Sequence, residues 1–116
     1  MDLEQFEKIA FTMRKDLNEE WRLKRPSPHT LDRIASRLLN IVKEVRAKDE
    51  LTDDKLYWLK MHLDIFLADL DGKLLHDYRR DNKRYHGLWS KERGDLASFI
   101  TRFKEILENR EATKAD

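Results

Sequence analysis

Residues His76 to Trp89 read HDYRRDNKRYHGLW, the stretch of this chain whose residue types and spacing point most clearly to chemistry. Four arginines or lysines, two histidines, two tyrosines and a tryptophan crowd around a single glycine. On a helix turning about 100° per residue, Arg79 and His86 are seven apart and nearly superposed, with His76 and Lys83 beside them. No acidic residue falls on that face. Tyr78 and Tyr85 line the neighbouring face, which continues an apolar stripe, and Asp77, Arg80, Asp81 and Arg84 can pair locally at spacing three. His76, Arg79, Arg80, Lys83 and His86 are therefore the candidate contacts for an anion or a partner. A basic face flanked by tyrosines suits the phosphates and bases of RNA, DNA or a nucleotide.

Arg80-Asp81, then His86-Gly87 with Trp89 beyond, resembles the arginine, short spacer, histidine motif of HEPN-family ribonucleases. The resemblance covers about ten residues, together with a compatible length and helical class. It implies a small helical bundle that dimerises and cleaves RNA without metal. His86 would then act as general base or acid, and Arg80 would stabilise the phosphate in the transition state. On an uninterrupted helix, positions six apart point about 120° away from each other, so the pair needs a dimer or a helix break to meet.

Other chemistries find less support. A metal site on a helix needs ligands three or four apart, and His62, His76 and His86 have no His, Asp or Glu at those spacings. His29 and Asp32 do, but at a helix start, where the dipole accounts for the aspartate. Glu4 with Glu7, and Glu50 with Asp53, are the acidic pairs to compare with the Mg²⁺ sites of helical nucleotide pyrophosphohydrolases. The second pair falls in a loop, so the pattern does not match. The chain has no cysteine, which excludes disulfides and thiolate ligands. It has no glycine-rich phosphate loop and no nucleophile motif. No catalytic residue, metal or cofactor is expected.

The N-terminal MDLEQFEKIAF lacks the basic and apolar regions of a signal peptide, and no apolar run is long enough to span a membrane. A cytoplasmic protein is the expectation. At 116 residues, one domain can bury a core without staples. Charge is uneven: residues 25–48 and 73–93 each carry +4, while residues 49–72 carry −5. These segments either form a dipolar surface or neutralise one another across helix pairs.

Three glycines and two prolines leave little for strands and hairpins, and apolar residues recur at three and four. The spacing predicts an all-α fold, an up-down bundle of four to five helices with a long third helix. Leu3, Phe6, Ile9, Ala10, Met13 and Leu17 form the first stripe, with Trp21 continuing it and Asp2 and Gln5 as a capping box. Pro26 ends that helix near Lys24. Ser27 and Pro28 start the second, which turns Leu31, Ile34, Ala35, Leu38, Ile41, Val42 and Val45 inward. Thr52 is the expected cap of the third helix, whose leucine stripe is broadened by Trp58, Met61 and Ile65. Such width suits a helix contacted on more than one side, including a dimer interface. A kink is expected at Asp71-Gly72, a stop at Gly87, and a last helix from Ser90 or from Asp95 after Gly94. Residues 1–109 form the domain, and 110–116 a tail with nothing to bury.

The function that follows is a non-enzymatic bundle acting through protein contacts, as an accessory, regulatory or inhibitor protein. Its partner is another protein or a second copy of itself. Nucleic-acid binding through the 76–86 face is the alternative, with ribonuclease activity behind it.

Overall fold

The computed structural model describes residues 1–48, 54–80 and 83–115, the last three by their backbone alone. Among the described residues there are four helices and no strand, the all-α class that the spacing predicts. Helix α1 spans Leu3–Trp21 and α2 spans Pro28–Lys48. Helix α3 covers residues 54–79: an α-helical run Asp54–Asp69, a π-helical turn Leu70–Leu74, and a last α-helical turn Leu75–Arg79. Helix α4 spans Tyr85–Ala115.

The starts of α1 and α2 follow from local chemistry. The Asp2 carboxylate accepts from the Gln5 backbone N–H at 2.8 Å, and the Gln5 side chain accepts from the Asp2 N–H at 3.1 Å. That is the reciprocal capping box its sequence predicts. Ser27 Oγ accepts from the His29 N–H at 3.2 Å, ahead of Pro28 in the first helical position. The cap expected of Thr52, and the Glu50–Asp53 pair, lie outside the described residues.

The helices close on one core. Helix α2 packs on α3, α1 packs on α4, and α4 also touches α2 and α3. Phe6 of α1 meets Phe103 of α4 edge to face, with ring centroids 4.7 Å apart. Each such buried side chain is worth roughly 1.5–3 kcal/mol relative to exposure. Among the described residues the buried side chains are apolar or aromatic, and none is charged. At the far end, the Glu111 carboxylate accepts from the Leu3 N–H at 3.0 Å, so α4 runs on as helix into the polar tail that starts at Arg110.

Two boundaries differ from expectation. The helix does continue through Gly72, but as a π-helical turn in which the Leu75 N–H donates to the Leu70 carbonyl. Helix α3 then ends at Arg79 instead of reaching Gly87, and α4 starts at Tyr85 instead of Ser90 or Asp95. The third helix has 26 residues, and the longest is α4, with 31. The reason is burial. Arg79, Arg80, Lys83 and Arg84 have no apolar group to turn inward, whereas Tyr85 and Trp89 both do. Gly87 and Gly94 sit inside α4 without a left-handed φ, so neither terminates a helix.

Candidate contact surfaces

The break after Arg79 divides the basic face. His76 and Arg79 occupy the last turn of α3, Arg80 follows it, Lys83 lies in the turn, and His86 stands in the first turn of α4. All five side chains are exposed. No hydrogen bond or ring contact among the described residues joins Arg80 to His86. The His86 ring lies instead beside Trp21 of α1, with centroids 6.5 Å apart.

Around these residues the fold gathers a second basic segment. The Arg25 guanidinium lies 4.3 Å over the Tyr78 ring and donates to the Tyr78 carbonyl. The Tyr85 hydroxyl donates to the Pro26 carbonyl, and the Trp89 indole N–H donates to the Ser27 carbonyl at 3.0 Å. The Ser27 N–H in turn donates to Glu20 at 2.6 Å. These bonds lay the α1–α2 turn, with Arg22, Lys24 and Arg25, against the α3–α4 turn, with Arg79, Arg80, Lys83 and Arg84. Residue spacing reveals the second half of this basic end but not the first, because nothing in it says which turn meets which.

At its edge, Arg93 of α4 lies 4.4 Å over the Trp21 ring and donates to Asn18 Oδ1 at 3.0 Å. Its Nε is buried without a hydrogen-bond acceptor, so Trp21 and Asn18 hold the guanidinium. Tyr78 and Tyr85 stand with ring centroids 5.3 Å apart. Burial pushes the Tyr85 phenol far above its ordinary range, the Tyr78 phenol adds to the rise, and Arg25 opposes it. Tyr85 is thus a neutral hydrogen-bond donor and not a proton-transfer group.

A second surface follows the groove between α3 and α4. Trp58 and Ile65 are each 53% exposed on α3, large apolar side chains turned away from the core. Two hollows adjoin there. One, of about 280 Å³, is lined by Lys55, Trp58, His62, Arg102 and Glu105 among others. The other, of about 210 Å³, is lined by His62, Ile65, Asp69, Lys91, Glu92 and Asp95 among others. They meet at His62, whose Nδ1 is 3.2 Å from an Arg102 guanidinium nitrogen and whose ring leans toward Phe99 at 6.2 Å. Burial, then the neighbouring Asp95 carboxylate, raises the Glu92 carboxyl above its usual range, with Lys91 opposing. The signal for this groove was the heptad spacing of Lys55, Trp58, His62, Ile65 and Asp69, which the broad leucine stripe of α3 obscured.

A third hollow, of about 600 Å³, lies between α1 and α4 around Phe11. Two ion pairs lie in it, Lys104 with Glu7 at 3.8 Å and Lys15 with Glu19 at 4.0 Å, beside Arg14 and Arg22. Among the described residues no group of three or more His, Asp or Glu side chains is placed to hold a metal ion, and no helix is long and apolar enough to cross a membrane. Comparison of the chain with protein-family models, with curated proteins and with solved structures finds no match to any of them.

Proposed function

We propose that the protein is a non-enzymatic helical bundle, its four helices in up-down order, that works in the cytoplasm through protein contacts, with another protein or a second copy of itself, as an accessory, regulatory or inhibitor protein. One observation carries this reading: Trp58 and Ile65 stand exposed on α3 along a groove that charged side chains flank on both sides. A core helix normally turns residues of this size inward, and contiguous exposed apolar surface rimmed by polar groups marks contact sites. Cleavage is not part of the reading, since no hydrogen bond or ring contact among the described residues joins Arg80 to His86. The test is affinity capture from the native host with wild type and Ile65→Asp side by side. A partner held by wild type and lost with the variant supports the reading. Partners retained equally by both would overturn it.

A second reading, nucleic-acid binding, draws on a separate observation. The fold lays the turn that carries Arg22, Lys24 and Arg25 against the turn that carries Arg79, Arg80, Lys83 and Arg84, with Trp21 and His86 at the margin. Clustered cations beside aromatic rings favour a phosphate backbone and its bases.

A further inference from the structure

The chemistry of the α3–α4 groove names its own partner, and the inference rests on the protein-contact reading above. Lys55, Trp58, His62, Ile65 and Asp69 line the two hollows from the α3 side. They follow one another at spacings of three, four, three and four, the seam along which two helices pair. The seam is ordered about His62. Lys55 lies seven residues before it and Asp69 seven after, while Trp58 lies four before and Ile65 three after.

Helix α4 adds Glu105 to the hollow of Lys55 and Lys91 to the hollow of Asp69, and the balance of each hollow is set by the remaining charges. Arg102 stands in the hollow with Lys55, and Asp95 and Glu92 stand in the hollow with Asp69. One end of the groove is therefore weighted toward cations and the other toward carboxylates, with a tryptophan and an isoleucine between them. A second copy turned end for end about His62 brings each Lys55 to the partner's Asp69, and each Trp58 to the partner's Ile65. A two-fold interface requires this kind of self-complementarity, since the same patch must serve both sides.

We propose that the chain forms an isologous homodimer through the α3–α4 groove, with α3 packed antiparallel on its copy about His62, Trp58 against Ile65 at the centre and Lys55 against Asp69 at the ends. The exposed Trp58 is the anchor, since large aromatic residues in a desolvated centre carry most of the energy of such contacts. The raised Glu92 carboxyl sits at the end that receives the partner's Lys55, where an added cation is favoured.

The experiment is sedimentation equilibrium of the full chain across the micromolar range, with circular dichroism to verify folding. Wild type is expected to be a dimer, and Ile65→Asp a folded monomer. Lys55→Glu and Asp69→Lys are each expected to weaken dimerisation by roughly three- to tenfold, because every exposed pair occurs twice in the dimer. The double variant Lys55→Glu with Asp69→Lys restores both pairs and should associate nearly as wild type does. A wild type that stays monomeric overturns the proposal, as does a double variant no tighter than the singles. Neither result touches the broader reading, which falls only if Ile65→Asp also leaves capture of host partners unchanged. A monomer whose captured partner is lost with Ile65→Asp assigns the groove to a different protein and ends the self-pairing.

Discussion

The Tyr85 hydroxyl donates to the carbonyl of Pro26, 59 residues earlier in the chain. Four residues further on, the Trp89 indole makes the equivalent bond to the Ser27 carbonyl, with its ring wholly buried. The two aromatic residues pin the start of α4 onto the turn that joins α1 to α2. Two carbonyls that would otherwise lose their water without replacement are satisfied in this way. The cations between and beside these anchors are left at the surface, which is how a basic end arises from a helix boundary.

Tyr85→Phe removes one of the two bonds and leaves the Pro26 carbonyl without its partner. A loss of about 1–2 kcal/mol is expected by urea denaturation at neutral pH. The ionisation of Tyr85 adds a pH signature. Its folded-state pKa lies above the unfolded value of about 10, so its contribution is complete below that value and lost as pH rises beyond it. Wild type should therefore weaken more steeply than Tyr85→Phe in strong alkali. Parallel alkaline limbs would show that the phenol is not buried as described.

Gly87 and Gly94 lie in α4 with helical backbone, and a Cβ built on either meets open space. Gly87→Ala and Gly94→Ala should each stabilise the protein by roughly 0.5–1 kcal/mol, by narrowing the unfolded ensemble and improving helix propensity. A glycine that closed a helix in the left-handed region would respond in the opposite sense. A lower thermal midpoint for Gly87→Ala would thus restore the helix stop that the sequence suggests.

Much of the fold is legible in residue spacing, and the failures have one cause. Asp2 with Gln5, and Ser27 with Pro28, act as caps because capping is decided within a few residues. The inward positions Phe6, Leu31, Leu63 and Phe103 follow from helical period alone. The α3–α4 boundary does not, because Gly87 reads locally as a terminator while Tyr85, Trp89, Leu96, Ile100, Phe103 and Leu107 already form one stripe at spacings of three, four and seven. Tertiary burial of Tyr85 and Trp89 outweighs the local cost of glycine. The candidate residues of the 76–86 run stand at the surface, but on two elements and not on one face. Their neighbours Arg22, Lys24 and Arg25 arrive through the tertiary bonds of Arg25, Tyr85 and Trp89, which no local pattern encodes.

Glu92 supplies an acid-side counterpart to Tyr85. Burial and the Asp95 carboxylate raise its folded-state pKa, so the folded protein binds that proton more tightly than the unfolded chain. Its contribution is greatest below the ordinary carboxylate range and is lost as pH rises through the raised value. Glu92→Gln should therefore be more stable than wild type at neutral pH, and the difference should shrink in acid. The comparison is best made at concentrations where the protein is monomeric, so that no partner cation approaches the site. Equal offsets at both pH values would mean that the gain comes from packing and not from the charge.

The basic end makes a prediction that a single helix face cannot. If it holds a polyanion, cations of the α1–α2 turn and of the α3–α4 turn contribute together, because Tyr85 and Trp89 hold the two turns side by side. Arg22→Glu should then weaken binding of a fluorescently labelled single-stranded RNA about as much as Arg79→Glu or Lys83→Glu does. Each replacement should also reduce the slope of log affinity against log salt by roughly 0.7 for every phosphate that is no longer neutralised. Anisotropy titrations at several salt concentrations read both quantities. A contribution from Arg79 and Lys83 without one from Arg22 would confine binding to the α3–α4 turn, and no binding at low salt would remove nucleic acid as a ligand. RNA bound at full length by wild type, Arg80→Ala and His86→Ala alike would separate binding from cleavage.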